Sequence, residues 1–205
     1  MNNNQIESVI RKLFETGRSF CSEADFQHAL GSAIEKHLAD KSVAVRFEFP
    51  ASKENNEHFD IMLISDGKMN PVELKYKTKH AEVRDSKGDI QYVLRDQAAH
   101  DCGRFLFLKD ICRLEKYRTE KKETYGHGFA VFLTNDPLYM QQAKGLISRD
   151  LSLNCGICKG EKYLNTDAMW ARQYKRFEIH DNYETVWHKV VLDGIEFFYL
   201  LIEVA

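Results

Sequence analysis

The stretch His58 to Lys79, HFDIMLISDGKMNPVELKYKTK, constrains this chain more than any other. Asp60 sits in an apolar run with Phe59, Ile61, Met62, Leu63 and Ile64, and Glu73 and Lys75 sit in a second run with Val72, Leu74 and Tyr76. Between them lies the polar segment Ser65-Asp66-Gly67-Lys68-Met69-Asn70-Pro71, whose Asp-Gly pair marks a turn. The pattern predicts two adjacent strands of a hairpin. Side chains alternate along a strand, so Glu73 and Lys75 project to one face while Leu74 points to the other. Two carboxylates and an ammonium therefore gather on apolar strands, where charge is costly to bury unless it is paired or binds a metal.

The flanking segments predict what surrounds this hairpin. Ile6, Val9, Ile10, Leu13 and Phe14 form one helical stripe over Gln5 to Thr16, with Gly17 placed to end it. Ser22 reads as the N-cap of a second helix running to Leu38, with a buried stripe of Phe26, Leu30, Ala33, Ile34 and Leu38. Glu23 stands at the start of that helix, on the edge of the stripe. Val43 to Phe49 alternates as a strand ended by Pro50, and Ser52 to Glu57 is a polar loop. After the hairpin, Thr78 to Gln91, with Ser86-Lys87-Gly88-Asp89, is expected to be an exposed loop. A long helix is expected over Tyr92 to Arg118, weakened or split at Gly103, followed by a charged loop over Lys116 to Tyr125. GFAVFLT, Gly128 to Thr134, is an unbroken apolar strand of the kind covered on both faces. Asn135 or Asp136 caps a helix starting at Pro137. A short basic helix is expected over Ala168 to Phe177. Tyr183 to Leu192 and Ile195 to Val204 form a C-terminal hairpin around Asp193-Gly194.

Length and composition bound the class. At 205 residues, 43% apolar and 29% charged, the chain suits one α/β domain over residues 1–205, with a core at about 20–137 and residues 146–177 as a candidate insert or recognition region. A net charge of −2 argues against coating nucleic acid through bulk charge. No apolar run reaches the roughly 18 to 20 residues of a membrane span. Five cysteines, an odd number, without a signal-peptide pattern lead to the expectation of reduced thiols in the cytoplasm.

Two carboxylates on neighbouring strands suit a hard divalent cation, which binds through one or two carboxylates and keeps waters for a substrate phosphate. Asp60, twelve intervening residues, then Glu73-Leu74-Lys75, preceded by a helix bearing Glu23, resembles the PD-(D/E)XK nuclease superfamily. The resemblance spans Ser22 to Thr134. It implies a restriction-endonuclease-like core, a central mixed β-sheet of about four core strands flanked by helices, and Mg²⁺-dependent hydrolysis of phosphodiester bonds, with Mn²⁺ able to substitute. It implies Asp60, Glu73 and Lys75 as catalytic residues, Asp60, Glu73 and Glu23 as metal ligands, and Gln97 as a supporting polar residue on the following helix. Phe59 departs from the family's proline and leaves the carboxylate in place.

Other motifs offer less. Cys155-Gly156-Ile157-Cys158 has the spacing of half a zinc site, without a second pair to complete it. Lys77 and Lys79 extend the face of Lys75 and suit phosphate contacts, as do Arg172, Lys175 and Arg176 beside Trp170 and Tyr174. His58 and His100 are placed near the expected cleft. The sequence thus leads to the expectation of an endonuclease acting on DNA ahead of RNA, working as a candidate homodimer and away from membranes. The alternatives are an RNA-directed nuclease of the same fold and a non-catalytic nuclease-like binding or assembly protein.

Overall fold

In the computed structural model, which describes residues 2–38, 42–52, 57–85 and 90–205, the hairpin is the inner part of a larger sheet. Its strands are β2 (His58–Ser65) and β3 (Lys68–Lys77). Asp66 and Gly67 alone make the turn, at φ 52° and 71°, the left-handed pair that a two-residue hairpin requires. The turn is tighter than the polar segment suggested, so Lys68 to Pro71 belongs to β3. With β1 (Ala44–Pro50), β6 (Gly128–Thr134), β9 (Trp187–Leu192) and β10 (Ile195–Val204), the order across the sheet is β1-β2-β3-β6-β10-β9. All neighbours are antiparallel except β3 and β6, which run parallel. Parallel neighbours need a long crossover, and α3 (His100–Glu120) lies in it.

Strand alternation makes two cores from one sheet. Ile61, Leu63, Val72, Leu74, Tyr76, Phe129, Val131 and Leu133 pack with the stripes of α1 (Asn3–Phe14) and α2 (Glu23–His37). Met62, Ala130, Phe132, Leu200 and Ile202 pack on the other face with Phe105, Leu108, Ile111 and Leu114 of α3. All seven residues of β6 are buried, as its unbroken apolar run predicted. Helix α2 starts at its expected cap, the Ser22 side chain accepting the Asp25 N–H, whereas α1 starts two residues before the expected Gln5, where Asn2 and Gln5 form a capping box.

Several expectations change. Within Thr78 to Gln91, expected as a loop, Ala81–Arg84 forms β4, which pairs with β5 (Gln91–Leu94) and buries Val83 and Leu94. Residues 86–89, with the expected turn, and 53–56 of the polar loop lie outside the described residues. Because β5 takes Tyr92, α3 begins only at His100, and it continues through Glu120 into the segment expected to be a charged loop. It runs unbroken through Gly103, where a Cβ would stand 2.3 Å from the Tyr139 hydroxyl, so this glycine permits a close approach. Asp136 caps Pro137–Met140 as expected, but as a 3-10 turn. Residues 146–177 contain 3-10 turns at Arg149–Leu151 and Met169–Gln173 and strand β7 (Gly160–Lys162), which pairs with β8 (Phe177–Ile179). The expected basic helix is thus only the second of these turns. Among the described residues, no helix is long and apolar enough to cross a membrane.

Candidate functional site

The β2–β3 ladder runs from Ser65 opposite Lys68 to Ile61 opposite Val72. One residue further along β2, Asp60 accepts the Leu74 N–H through Oδ2 at 2.5 Å, so a side chain joins the strands there. The Asp60 carbonyl accepts a hydrogen bond from Gln27 of α2 at 2.5 Å. Glu23, the first residue of α2, accepts the Tyr76 N–H through Oε2 at 2.6 Å. Its other oxygen stands 4.0 Å from the Lys75 ammonium. Leu74 and Tyr76 anchor β3 in the core beneath α2, so Glu73 and Lys75 turn to the α3 face.

Helix α3 supplies two residues that sequence reasoning missed. Asp110 Oδ2 lies 3.3 Å from Lys75 Nζ, and Arg113 Nη2 lies 3.0 Å from Glu73 Oε1. The two are one turn apart and meet each other, Arg113 Nη1 to Asp110 Oδ1, at 3.6 Å. Arg113 also donates to the His58 carbonyl and lies over the Phe59 ring. A signal for Asp110 existed: with Phe107, Ile111 and Leu114 it shares the i, i+3, i+4, i+7 stripe that α3 buries. A carboxylate on that stripe needs a partner across the interface.

Four carboxylates (Glu23, Asp60, Glu73, Asp110) and two cations (Lys75, Arg113) thus share one locus. Burial, reinforced by Glu23 and Asp110, pushes Asp60 up to about 6 against the pull of the Leu74 N–H. Burial next to Asp110 and Asp60 raises Glu73 well above the ordinary carboxylate range, despite Arg113. Burial raises Asp110 as well, against Lys75 and Arg113. For Lys75, burial disfavours the ammonium, but Asp110, Glu23 and Asp60 outweigh it and raise its pKa. The carboxyl groups of Glu73 and Asp110 are held largely out of water: Glu73 is only 2% exposed.

The donors suit a hard cation. Glu73 Oε1 and Asp110 Oδ2 are buried oxygens whose neighbours are cationic side chains, Arg113 at 3.0 Å and Lys75 at 3.3 Å. Among the described residues, no three His, Cys, Asp or Glu side chains stand together as a ligand set. Glu23, expected as a third ligand, is engaged with the β3 backbone and faces Lys75 instead. What remains is Asp60 and Glu73, a number of carboxylates that suffices for Mg²⁺.

The other expected residues lie at varying distances from this arrangement. Gln97 precedes α3 rather than sitting on it, and it brackets Thr78 by donating its N–H to the Thr78 carbonyl at 2.8 Å and accepting the Thr78 N–H through Oε1 at 3.3 Å. It therefore ties down the end of β3. Lys77 is the last residue of β3 and shares the face of Lys75, whereas Lys79 lies past the strand end, its backbone held by Asn135. Arg172 and Lys175 are exposed, and Arg176 pairs with Glu161 at 3.2 Å. His58 contributes its carbonyl, and His100 pairs with Asp136 at 2.6 Å. Cys155 and Cys158 are exposed free thiols. Comparisons with protein-family models, curated proteins and solved structures returned no match for this chain.

Proposed function

We propose that this chain is a Mg²⁺-dependent endonuclease with a restriction-endonuclease-like fold, hydrolysing phosphodiester bonds in DNA ahead of RNA. The observation that carries the reading is the ion-paired cluster in which Glu73 and Lys75 of β3 face Arg113 and Asp110 of α3, with Asp60 of β2 near enough to influence the ionisation of both β3 residues. There, Glu73 Oε1 and Asp110 Oδ2 are buried with only a cationic side chain facing each, in a locus with more carboxyl groups than cationic side chains. The element order supports the fold: a helix with Glu23, a three-strand meander, then α3 and a parallel β6 beside β3.

In this reading Asp60 and Glu73 would hold the cation, with the Leu74 carbonyl as a further oxygen donor. Once bound, Mg²⁺ supplies a more acidic water and neutralises charge building up at phosphorus. Lys75, steadied between Asp110 and Glu23, presents an ammonium where that negative charge develops. Glu23 holds the β3 backbone at Tyr76 and so sets the position of Lys75. Lys77 and Lys79 continue toward solvent and suit the phosphates that flank the scissile bond, and Arg172, Lys175 and Arg176 form a second set of contacts. Cutting both strands of a duplex with one site per chain favours a homodimer.

The test is cleavage of single- and double-stranded DNA and RNA with Mg²⁺ or Mn²⁺. Glu73→Gln and Lys75→Ala should each lower the rate at least about a hundredfold, the scale of losing a charge-stabilising group. Cleavage that survives both substitutions overturns the assignment. A second reading, a non-catalytic binding or assembly protein, is favoured by the pairing of Glu73 with Arg113 and of Lys75 with Asp110, since opposed buried charges can serve the fold alone. It predicts that the wild-type protein cleaves none of the four substrates.

A further inference from the structure

One of the two unforeseen members of the site is Arg113, and its contacts divide into two groups. On one side its guanidinium is anchored to α3 and β2: Nη1 faces Asp110 at 3.6 Å, Nη2 donates to the His58 carbonyl, and the Phe59 ring lies 5.5 Å beneath. On the other side Nη2 reaches Glu73 Oε1 at 3.0 Å. The anchors are independent of Glu73, so the guanidinium can release this oxygen and remain seated. A cation arriving at Glu73 Oε1 would therefore compete with this one contact of the guanidinium.

We propose that Arg113 is a built-in competitor of the divalent cation, covering Glu73 Oε1 until a cation takes that oxygen and leaving the guanidinium to Asp110 and the His58 carbonyl. The inference rests on the reading of Asp60 and Glu73 as cation ligands and adds a control to it. A fixed positive charge beside a carboxylate lowers that carboxylate's affinity for a second cation by direct Coulomb repulsion. In the same position it spares the buried Glu73 carboxylate from standing uncompensated, which is the costly alternative. Arg113 therefore trades cation affinity for stability of the free protein. It is a positioning and threshold-setting residue rather than a catalytic one.

The experiment measures Mn²⁺ binding by electron paramagnetic resonance and calorimetry at mildly alkaline pH, with wild-type protein, Arg113→Met and Glu73→Gln. Thermal melting is recorded with and without Mn²⁺. Wild-type protein should bind Mn²⁺ and Glu73→Gln should bind it much more weakly. Arg113→Met should bind it at least about tenfold tighter than wild type, the lower end of the effect of removing one charge a few ångströms away, reached when solvent screens it almost as in water. Arg113→Met should also melt lower than wild type in chelator and gain more from Mn²⁺. If Arg113→Met does not fold, Arg113→Lys, with a shorter reach to Glu73, should show tighter binding of smaller size. Unchanged or weaker binding in the folded Arg113 variant, with wild-type binding intact, overturns the competitor role. Absence of Mn²⁺ binding in all the proteins overturns the cation-site reading itself, and the competitor role with it.

Discussion

Two buried acids on α3, Asp110 and Glu115, show how one helix serves structure and site at once. Glu115 is fully buried and fully answered: it accepts the His180 N–H at 2.9 Å, the Asp181 N–H at 3.0 Å and the Tyr183 hydroxyl at 2.8 Å. Three donors from one segment hold it, and it fastens residues 180–183 to the helix. Asp110, five positions earlier, is also buried, but its Oδ2 faces the Lys75 ammonium, 3.3 Å away, rather than backbone or hydroxyl donors. It stands among like charges that raise the pKa of its neighbours. A carboxylate with its hydrogen bonds complete is structural. One left with charge partners alone is poised for exchange.

The largest expected effect breaks the structural half of the pair. Glu115→Ala strands three donors and should cost about 3–5 kcal/mol, seen in urea unfolding. The rate per folded molecule should be unchanged, and a rate that collapses in a folded variant would dissolve the distinction between the two acids.

The next effect concerns ionisation in the site. The Asp60 carboxyl is raised from its ordinary value near 4 to about 6, so the folded protein favours the protonated form. Its stabilising effect is complete below the unfolded value and is lost as pH rises to about 6 and beyond. In chelator, Asp60→Asn should therefore gain about 1–3 kcal/mol at alkaline pH. Unfolding at pH values below the unfolded-state pKa should show no such gain. A gain independent of pH would remove ionisation as its cause.

The smallest stability effect should come from Asp110→Asn, which keeps the shape and removes a charge that burial disfavours. Unfolding free energy should stay within about 1 kcal/mol of wild type, while cleavage should fall at least about tenfold as Lys75 loses its partner. The reverse outcome, a large loss of stability with full activity, would place Asp110 beside Glu115 as a structural acid.

Much of the fold was legible. The α1 and α2 stripes, the Ser22 cap, the buried run of β6 and both Asp-Gly turns follow local rules of period and backbone conformation, and each stands where those rules put it. β4 and β5 were not, because charged residues between and beside Val83 and Leu94 mask a period only four residues long. Of the site, Asp60, Glu73 and Lys75 were readable as charge on apolar strands, and Glu23 as an acid at the edge of a buried stripe.

Sequence alone determined that two carboxylates and an ammonium would sit on neighbouring strands, because strand alternation is a local property. Tertiary structure decided what faces them. Whether Asp110 and Arg113 meet Lys75 and Glu73 depends on how α3 rotates and docks between β3 and β6, and that is set by the packing of Phe105, Leu108, Ile111 and Leu114 against the sheet. Docking likewise turned Glu23 toward the Tyr76 N–H and Lys75, and carried Gln97 to the end of β3. Long-range packing made those choices, and no spacing along the chain encodes them.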